Sequence, residues 1–425
     1  MPADNDWVLY APYSDKSLLR NYVAYGLGQG MQEYAPRTRL VEVFHNGYYI
    51  GVYLLTEKVK RGDNRVKVNK ITPADTNARS ITGGYIMRKD WDNDSTKNAF
   101  YLKHDEGFEG YENIYIQYYK PEFNDLTASQ RKYLRDFVWD FENTLLSDDF
   151  KDLKKGYTQY ADLNSFADYF ISKEMAMEID AYRFSMYFYK NHEEDDNLLH
   201  LAPMWDYNLG FGNIDFGSEH ADAPTGWMYD NEKIRVFWFD RMLEDPLFAN
   251  TLDCRWRNYR RTSMTTEKIN RLIDNAVIEM DSAADRNHYT WKTLGRYVWP
   301  NKFVGDTYKE EIDYLKGWIK ARVDYMDIHI MGYCRAPLVV EEEEFAKSSI
   351  SIFPNPATSN VQIIAEKNID QIDVYNVLGK LVLSRSAVHA KETSINLTAL
   401  PVGLYTVRVL GDNGVVYSKK LIKQD

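Results

Sequence analysis

The pattern of hydrophobic and polar residues changes twice along the chain. Alternating runs typical of strands dominate the first part, and segments from about residue 127 carry apolar residues at the three- and four-residue steps of helices. Beyond residue 350, short alternating runs return, separated by Pro, Asn and Gly turns. The pattern therefore predicts an α+β domain over residues 1–335 and a small all-β sandwich over residues 350–425.

Local signals predict several elements of the first domain. An amphipathic helix is expected over residues 15–34, with Asp15 as its cap. Two alternating runs flank a His-Asn-Gly hairpin turn at residues 45–47, and the second run ends at Glu57 and Lys58. Residues 80–91 are predicted to form a further strand, with two glycines before its apolar run.

Between the two domains, residues 336–349 contain a proline and four consecutive glutamates. A block of like charges resists packing, so this stretch is predicted to be an acidic linker.

The segment over residues 178–213 is predicted to bring two carboxylates to one cleft. A helix is expected to end near Asp180, and two strands around a charged turn follow, so that the second strand delivers Asp206 at its end. Asn208 would point to the same side of an extended chain as Asp206. Two glycines follow and would let the backbone turn away from a ligand.

Metal-assisted phosphoryl transfer needs carboxylates in this arrangement. One carboxylate holds the divalent cation on the nucleotide phosphates, and another orients or deprotonates the incoming hydroxyl. On this interpretation Asp206 and Asn208 bind the cation and Asp180 acts on the hydroxyl. The alternative is structural, because Trp-Asp before Asn and Gly is typical of a capped turn and an Asp at a helix end is commonly a cap.

Basic residues near the predicted strand ends allow two interpretations. Lys58, Arg61, Arg65 and Arg88 offer cations for phosphates, but the same residues are equally compatible with a solvated face.

Composition excludes some partners and leaves others open. The chain has 52 basic and 63 acidic residues, a formal net charge of −11, and no long basic block, which argues against nucleic acid or an anionic membrane as the main partner. No apolar run is long enough to predict a transmembrane segment. The 33 Tyr and 10 Trp residues fit a glycan-stacking surface as well as an ordinary core.

The start of the chain and its two cysteines do not identify the cellular compartment. The first residues lack the basic and apolar regions of a signal peptide, so we expect a truncated or processed form. Cys254 and Cys334 permit one disulfide bond, which their spacing does not establish.

The C-terminal strands resemble the type A C-terminal sorting domain of the type IX secretion system found in Bacteroidetes. The resemblance rests on FPNP (353–356), VYNVLGK (374–380), LPVGLYTVRV (400–409) and KKLIK (419–423). It implies that the type IX machinery is a partner and that the protein is exported across the outer membrane, then anchored at the surface or released.

The first domain resembles the CotH kinase family, named for spore coat protein H. The matching segments are DKSLLRN (15–21), the hairpin over 44–62, GGYIMRKD (83–90), EIDAYRFSMYFYKN (178–191), APMWDYNLGFGN (202–213) and the helices RMLEDPLF (241–248) and RWRNYRR (255–261). The resemblance implies an atypical, minimal protein-kinase-like fold that transfers phosphate from ATP to Ser or Thr of a protein acceptor, with Mg²⁺ or Mn²⁺ as cofactor.

Residue roles follow from the same resemblance. Asp206 matches the metal-binding Asp of the kinase Asp-Phe-Gly, Asp180 matches the catalytic-loop Asp, and Glu57, Lys58 and Arg88 are predicted to bind the nucleotide. The chain departs from the kinase pattern in three ways. Ser185 stands where an Asn ligand is expected, Arg is a poor substitute for the phosphate-binding Lys, and no Gly-x-Gly-x-x-Gly loop is present.

These departures keep a second hypothesis open. A catalytically silent member of the family would serve as a binding or scaffold module at the cell surface, with an aromatic face contacting glycans or a partner protein. The two hypotheses differ in whether Asp180, Asp206, Asn208 and a basic side chain converge in one cleft.

Overall fold

A computed structural model gives the fold of most of the chain. It describes residues 1–90, 98–104, 115–217, 222–230, 236–330, 332, 334, 350–376, 381–411 and 416–424. The chain divides into two compact units, Met1–Ala336 and Pro337–Asp425. The predicted acidic linker over residues 336–349 lies outside the described residues.

The first unit mixes helices and strands, which confirms the predicted α+β class. Its described elements, in chain order, are β1 (Trp7–Tyr10), α1 (Arg20–Gly28), β2 (Thr38–His45), β3 (Tyr48–Glu57), β4 (Tyr85–Lys89), β5 (Ala99–Tyr101), β6 (Tyr115–Lys120), α2 (Ala128–Leu146), α3 (Leu163–Ala176), β7 (Met186–Lys190), β8 (Leu199–His200), α4 (Trp238–Leu243), α5 (Pro246–Arg261), α6 (Thr266–Met280), α7 (Ser282–Trp291) and α8 (Tyr308–His329).

Two antiparallel sheets organise this unit. The first has the strand order β1-β3-β2, and the predicted hairpin between β2 and β3 is confirmed. Its turn uses Asn46 at φ 51° and Gly47 at φ 80°, the left-handed geometry that an Asn-Gly pair favours. The second sheet has the order β5-β6-β4-β7-β8, so β4, predicted from its sequence, lies at its centre.

Helix α3 is the central helix of the unit, with eleven of its fourteen residues buried. Asp162 begins the helix, because its side chain accepts a hydrogen bond from Ser165 N at 2.7 Å. Apolar residues of α3 such as Phe166 and Ile171 belong to the main hydrophobic core, and α3 also carries a buried lysine, Lys173. A charge on a core helix needs partners, and those partners form the candidate site.

Three predicted boundaries were wrong. Helix α1 begins at Arg20 instead of Asp15, because the Asp15 carboxylate accepts from the backbone N of Arg20 and pairs with its guanidinium at 2.6 Å. Helix α3 ends at Ala176, before Asp180. Strand β8 has only two residues, and the chain before Asp206 is irregular, consistent with Pro203 lacking the N–H that a sheet ladder requires.

The second unit is all-β, as predicted. Its strands are β9 (Ser351–Phe353), β10 (Asn360–Asn376), β11 (Leu381–Asn396), β12 (Gly403–Gly411) and β13 (Val416–Lys423). They pair in the order β11-β10-β12-β13, with β9 beside β10. Alternate residues such as Val361 and Ile363 on β10 and Val407 and Val409 on β12 are fully buried, which gives the unit its own core.

Candidate active site

Asp180 and Asp206 lie within electrostatic range of each other in the first unit. Asp180 lies in the turn that follows α3, Asp206 lies in the irregular segment that follows β8, and both are partly buried. Burial raises the pKa of Asp180, and the negative charge of Asp206 raises it further. The two carboxylates therefore act on each other although 26 positions separate them in the sequence.

A third carboxylate belongs to the same group. Burial raises the pKa of Asp206, and Asp90 adds to that effect, as it does for Asp180. Asp90 follows β4 directly, so the central strand of the second sheet leads to the cluster. We call Asp90, Asp180 and Asp206, with Lys173 and Glu178 beside them, the carboxylate cluster.

Lys173 supplies the positive charge within this cluster. Its ammonium donates hydrogen bonds to the carbonyl oxygens of Trp205 at 2.8 Å and Asp206 at 3.1 Å, and it lies 4.0 Å from the centre of the Tyr207 ring. Burial lowers the pKa of Lys173, whereas the surrounding carboxylates favour its charged form. Lys173 has no local signal in the sequence, because its partners lie 32 and 33 positions further along the chain.

Ser185 contacts the cluster directly. Its hydroxyl donates to Asp206 Oδ2 at 3.2 Å, although the sequence had marked this position only as a departure from the kinase Asn. The bond lowers the pKa of Asp206 against the effect of burial. Ser185 therefore stands at the position where the kinase pattern has an Asn, and it contacts Asp206 through a hydroxyl in place of an amide.

Helix α1 holds the segment that carries Asp206. The backbone N of Asp206 donates to the Tyr25 hydroxyl at 3.1 Å, and the N of Tyr207 donates to Asn21 Oδ1 at 2.6 Å. Arg20 Nε donates to the carbonyl oxygen of Gly210 at 3.2 Å. Arg20 and Asn21 of the DKSLLRN motif thus help to position the loop.

Glu178 packs beneath this loop. It is 2% exposed, its Oε2 has no hydrogen-bond partner among the described residues, and burial raises its pKa well above the ordinary value. A Cβ at Gly210 would lie 3.0 Å from Ala176 and 3.2 Å from Glu178 Oε2. Glycine at 210 therefore allows the loop to approach the end of α3 closely.

The backbone around the cluster is strained at several positions. Met177, Tyr182, Ser185 and Asp206 all have φ between 48° and 64°, a region that residues other than glycine rarely adopt. Such conformations each cost of order 1–3 kcal/mol and concentrate at functional sites. The strain here falls on the two segments that present Asp180 and Asp206.

Arg88 is connected to the cluster through Asp90, and its role in nucleotide binding stays a prediction. Its guanidinium lies 3.6 Å from Asp90, donates to Gln117 Oε1 at 2.6 Å and stacks over the Tyr119 ring at 5.2 Å. The neighbouring Lys89 points to the other side of β4, where its ammonium donates to the Tyr182 carbonyl at 2.9 Å.

The other two predicted nucleotide residues lie in different surroundings. Glu57 is fully buried and binds Arg37 at 2.9 Å and also Arg65. Lys58 is exposed in a separate groove. The structure thus gives Glu57 a role in an ion-pair network and does not bring Glu57 or Lys58 into contact with Asp206.

Asn208 does not lie on an extended chain, so the argument that placed it beside Asp206 was wrong. Asp206 has φ 59°, and the segment turns at once, with Gly210 N donating to the Tyr207 carbonyl at 3.2 Å. The carbonyl of Asn208 accepts from Asn213 Nδ2 at 3.0 Å. Its role as a cation ligand stays a prediction.

The donor set suits a hard divalent cation held together with a nucleotide. Among the residues described, no three His, Cys, Asp or Glu side chains are arranged to hold a metal by themselves. Mg²⁺ is commonly bound by one or two carboxylates plus substrate phosphates, and carboxylate oxygens are the ligands it prefers. Asp206, with Asp180 or Asp90, fits that mode.

Comparison with known proteins places the chain in a family. A family model described as CotH kinase protein matches residues 1–326, most of the chain. The chain belongs to the CotH family. A second model, described as secretion system C-terminal sorting domain, matches residues 351–424 of this CotH protein.

Other comparisons add little. No curated protein matches the chain. The crystal structure of CopC from Methylosinus trichosporium OB3b is similar over 18% of this chain and 91% of that chain, with 19% identity and a TM-score of 0.14, which is too low to carry an argument.

The sorting domain indicates that this CotH protein is secreted and attached at the cell surface. No helix in the described part of the chain is long and apolar enough to cross a membrane. A disulfide bond joins Cys254 on α5 to Cys334 beyond α8, as expected of a protein that matures in an oxidising compartment.

Proposed function

We propose that this CotH protein is a metal-dependent kinase that transfers phosphate from ATP to Ser or Thr side chains of a protein acceptor. The observation that carries the proposal is the meeting of Asp180 and Asp206 in one partly buried, strained cluster around Lys173. A strongly perturbed group of titratable residues of this kind is typical of a functional site.

Asp206 would bind the cation, Mg²⁺ or Mn²⁺, with Asn208 as the predicted second ligand. When bound, the cation would neutralise charge on the nucleotide phosphates. The protein keeps Asp206 in one position through the hydrogen bonds of its segment to Tyr25 and Lys173. Arg88, next to Asp90, is the predicted phosphate-binding cation that is connected to this cluster.

Asp180 would accept the proton of the incoming hydroxyl. Burial and the charge of Asp206 raise its pKa, which makes its carboxylate a stronger base than an exposed Asp. A bound cation would reduce the repulsion between the two carboxylates and so favour the ionised form of Asp180.

A radiolabelled phosphate transfer assay tests these roles. We expect Asp180→Ala to lower transfer roughly 10²- to 10⁴-fold with ATP binding retained, and Asp206→Asn to weaken cation-dependent ATP binding. Asp162→Ala is the matched control, because it removes a helix cap worth about 1 kcal/mol without touching the cluster. A folded Asp180→Ala protein with full activity would overturn the assignment of the base.

The pH dependence gives a second readout of the same assay. If Asp180 must be ionised, transfer falls as the pH drops through the pKa of Asp180, which burial and the charge of Asp206 raise and a bound cation would lower. Transfer that shows no acid limb would contradict the assignment of Asp180 as the base.

An exposed aromatic pair supports the silent surface module as the second candidate. Tyr13 and Trp291 meet edge to face at 5.6 Å beside a pocket of about 320 Å³ that Tyr53 also lines. Aromatic residues with one exposed face are typical of recognition surfaces. Saccharide-dependent quenching of Trp fluorescence, with no phosphate transfer under either metal, would favour this candidate.

A further inference from the structure

A positively charged groove lies at the end of β4 opposite Asp90. Its cavity volume is about 490 Å³, and Gly84, which precedes β4, forms part of its wall. Five basic side chains and two carboxylates line it: Lys58, Lys60, Arg61, Lys70 and Lys120, with Asp6 and Asp125. A surplus of positive charge here contrasts with a chain whose net charge is −11.

Among the described residues, three of the basic side chains form no ion pair, although Lys58 lies near enough to Asp6 and Glu122 to lower the pKa of both carboxyl groups. Lys60 is paired with Asp6 at 2.5 Å, and Lys120 with Glu122 at 2.6 Å. Within the described part of the chain, Lys58, Arg61 and Lys70 form no ion pair, and all three are exposed. A concave surface with several unpaired cations attracts anionic ligands and raises their association rate.

The groove also offers apolar contacts. Pro73 is exposed and Pro121 is half-buried at its wall, whereas Val59 and Ile71 lie beneath the surface. Side chains of a peptide would use both kinds of contact, whereas a polysaccharide chain of acidic sugars would use mainly the charges. The mixture of apolar and unpaired basic residues therefore favours a polypeptide partner.

We propose that this groove binds an acidic peptide segment and docks the acceptor protein of the kinase. Docking an acceptor rests on the proposed kinase function, whereas binding of the acidic segment does not. Gly84 and Asp90 are six residues apart along β4, which corresponds to about 20 Å of extended chain. An acceptor would thus carry its acidic segment about six or more residues from the Ser or Thr that reaches the carboxylate cluster.

Physical links connect the groove to the cluster. The Tyr119 hydroxyl donates to the Val59 carbonyl at 2.8 Å, and Arg88 stacks on the Tyr119 ring while it pairs with Asp90. Tyr119 and Arg88 therefore connect the groove to the carboxylate cluster.

Fluorescence anisotropy with the full chain and no nucleotide tests the binding. The probe is a short labelled peptide rich in Asp and Glu, and its Asn and Gln counterpart is the neutral reference. We expect binding of the acidic peptide to weaken with added salt and to fall about tenfold or more in Lys58→Gln/Arg61→Gln/Lys70→Gln. Lys154→Gln/Arg261→Gln/Lys391→Gln removes the same charge from exposed sites elsewhere and should bind like the parent.

The outcomes separate the two proposals. Absence of binding to the parent, or an equal loss in the control variant, would overturn the groove assignment. Tighter groove-dependent binding of polygalacturonate than of the peptide would overturn the choice of a peptide partner. Binding that depends on the groove in a protein that transfers no phosphate to any acceptor would support the acidic-peptide site and refute the kinase function alone.

Discussion

Replacing Lys173 by Met tests whether the carboxylate cluster depends on its buried cation. Met preserves the length and much of the volume of the side chain, so packing against Tyr207 is largely retained. The change removes two charged hydrogen bonds, at 2.8 and 3.1 Å, to the carbonyl oxygens of Trp205 and Asp206. It also leaves Asp180, Asp206 and Glu178 without the cation that favours their ionised forms.

The expected loss of stability is large at neutral pH. Removing one partner from a buried charge network costs about 3–5 kcal/mol, a substantial share of the roughly 5–15 kcal/mol that stabilises a whole domain. The loss should shrink at lower pH. In the variant the carboxyl pKa values rise further, so each pH unit of acidification returns about 1.4 kcal/mol for every carboxyl group that is protonated in the folded state and ionised in the unfolded chain.

Thermal melts of parent and variant at pH 7 and about pH 5 measure this effect. Lys190→Met is the matched control, because Lys190 is also buried and donates three hydrogen bonds, to Thr82, Asn191 and Asn197, at 2.6–2.7 Å. Burial lowers the pKa of Lys190 from 10.5 to about 7. The contribution of Lys190 to the free energy of unfolding therefore varies with pH mainly above 7. The deficit of the control should therefore change little between pH 5 and 7.

Two results would refute this reasoning. A Lys173→Met protein that melts with the parent at both pH values would show that the cluster needs no internal cation. A deficit that is equally large at pH 5 and pH 7 would show that Lys173 contributes through packing and hydrogen bonds alone, and that the carboxyl groups do not respond to its charge.

Two further predictions concern the ends of the first unit. Deleting residues 350–425 should leave the first unit folded but keep the protein inside the producing cell, because the tail has its own core and carries the sorting signal; undiminished surface display of the truncated chain would contradict this. Replacing Cys254 and Cys334 by Ser removes a cross-link between positions 80 apart. The chain-entropy relation predicts that this change lowers the free energy of unfolding by roughly 4–5 kcal/mol. Parent and variant should then melt together only after reduction, and equal melting without reductant would contradict the expectation.

Features encoded by neighbouring residues were predictable from the sequence. The hairpin at Asn46-Gly47 follows from two adjacent residues that tolerate left-handed φ, and β4 follows from its glycine entry and apolar run. The alternating pattern of the tail likewise identified an all-β unit. Each of these signals lies within a few residues of the element that it specifies, so no tertiary information was needed.

The geometry of the site was less predictable because distant residues fix it. The hydrogen bonds from Tyr25 and Asn21 to the segment of Asp206 join positions that are 181 and 186 residues apart. Lys173 was not identified from the sequence, and its partners follow only from the fold. The early end of α3 depends on Met177 in the left-handed conformation, which the sequence does not signal.

The arrangement of the site is difficult to explain by stability alone. Left-handed backbone at Ser185 and Asp206, a buried Lys173 and a buried Glu178 with an unpaired oxygen all carry free-energy costs that apolar residues of similar size would avoid. Glu57 and Lys190 are buried too, but they are paired or hydrogen-bonded, whereas Glu178 Oε2 has no partner among the described residues. Local departures from the rules of stable folding are expected where a protein does chemistry. The strained carboxylate cluster therefore supports the proposed phosphotransferase over the silent module, and transfer assays on the parent and on Asp180→Ala test that choice.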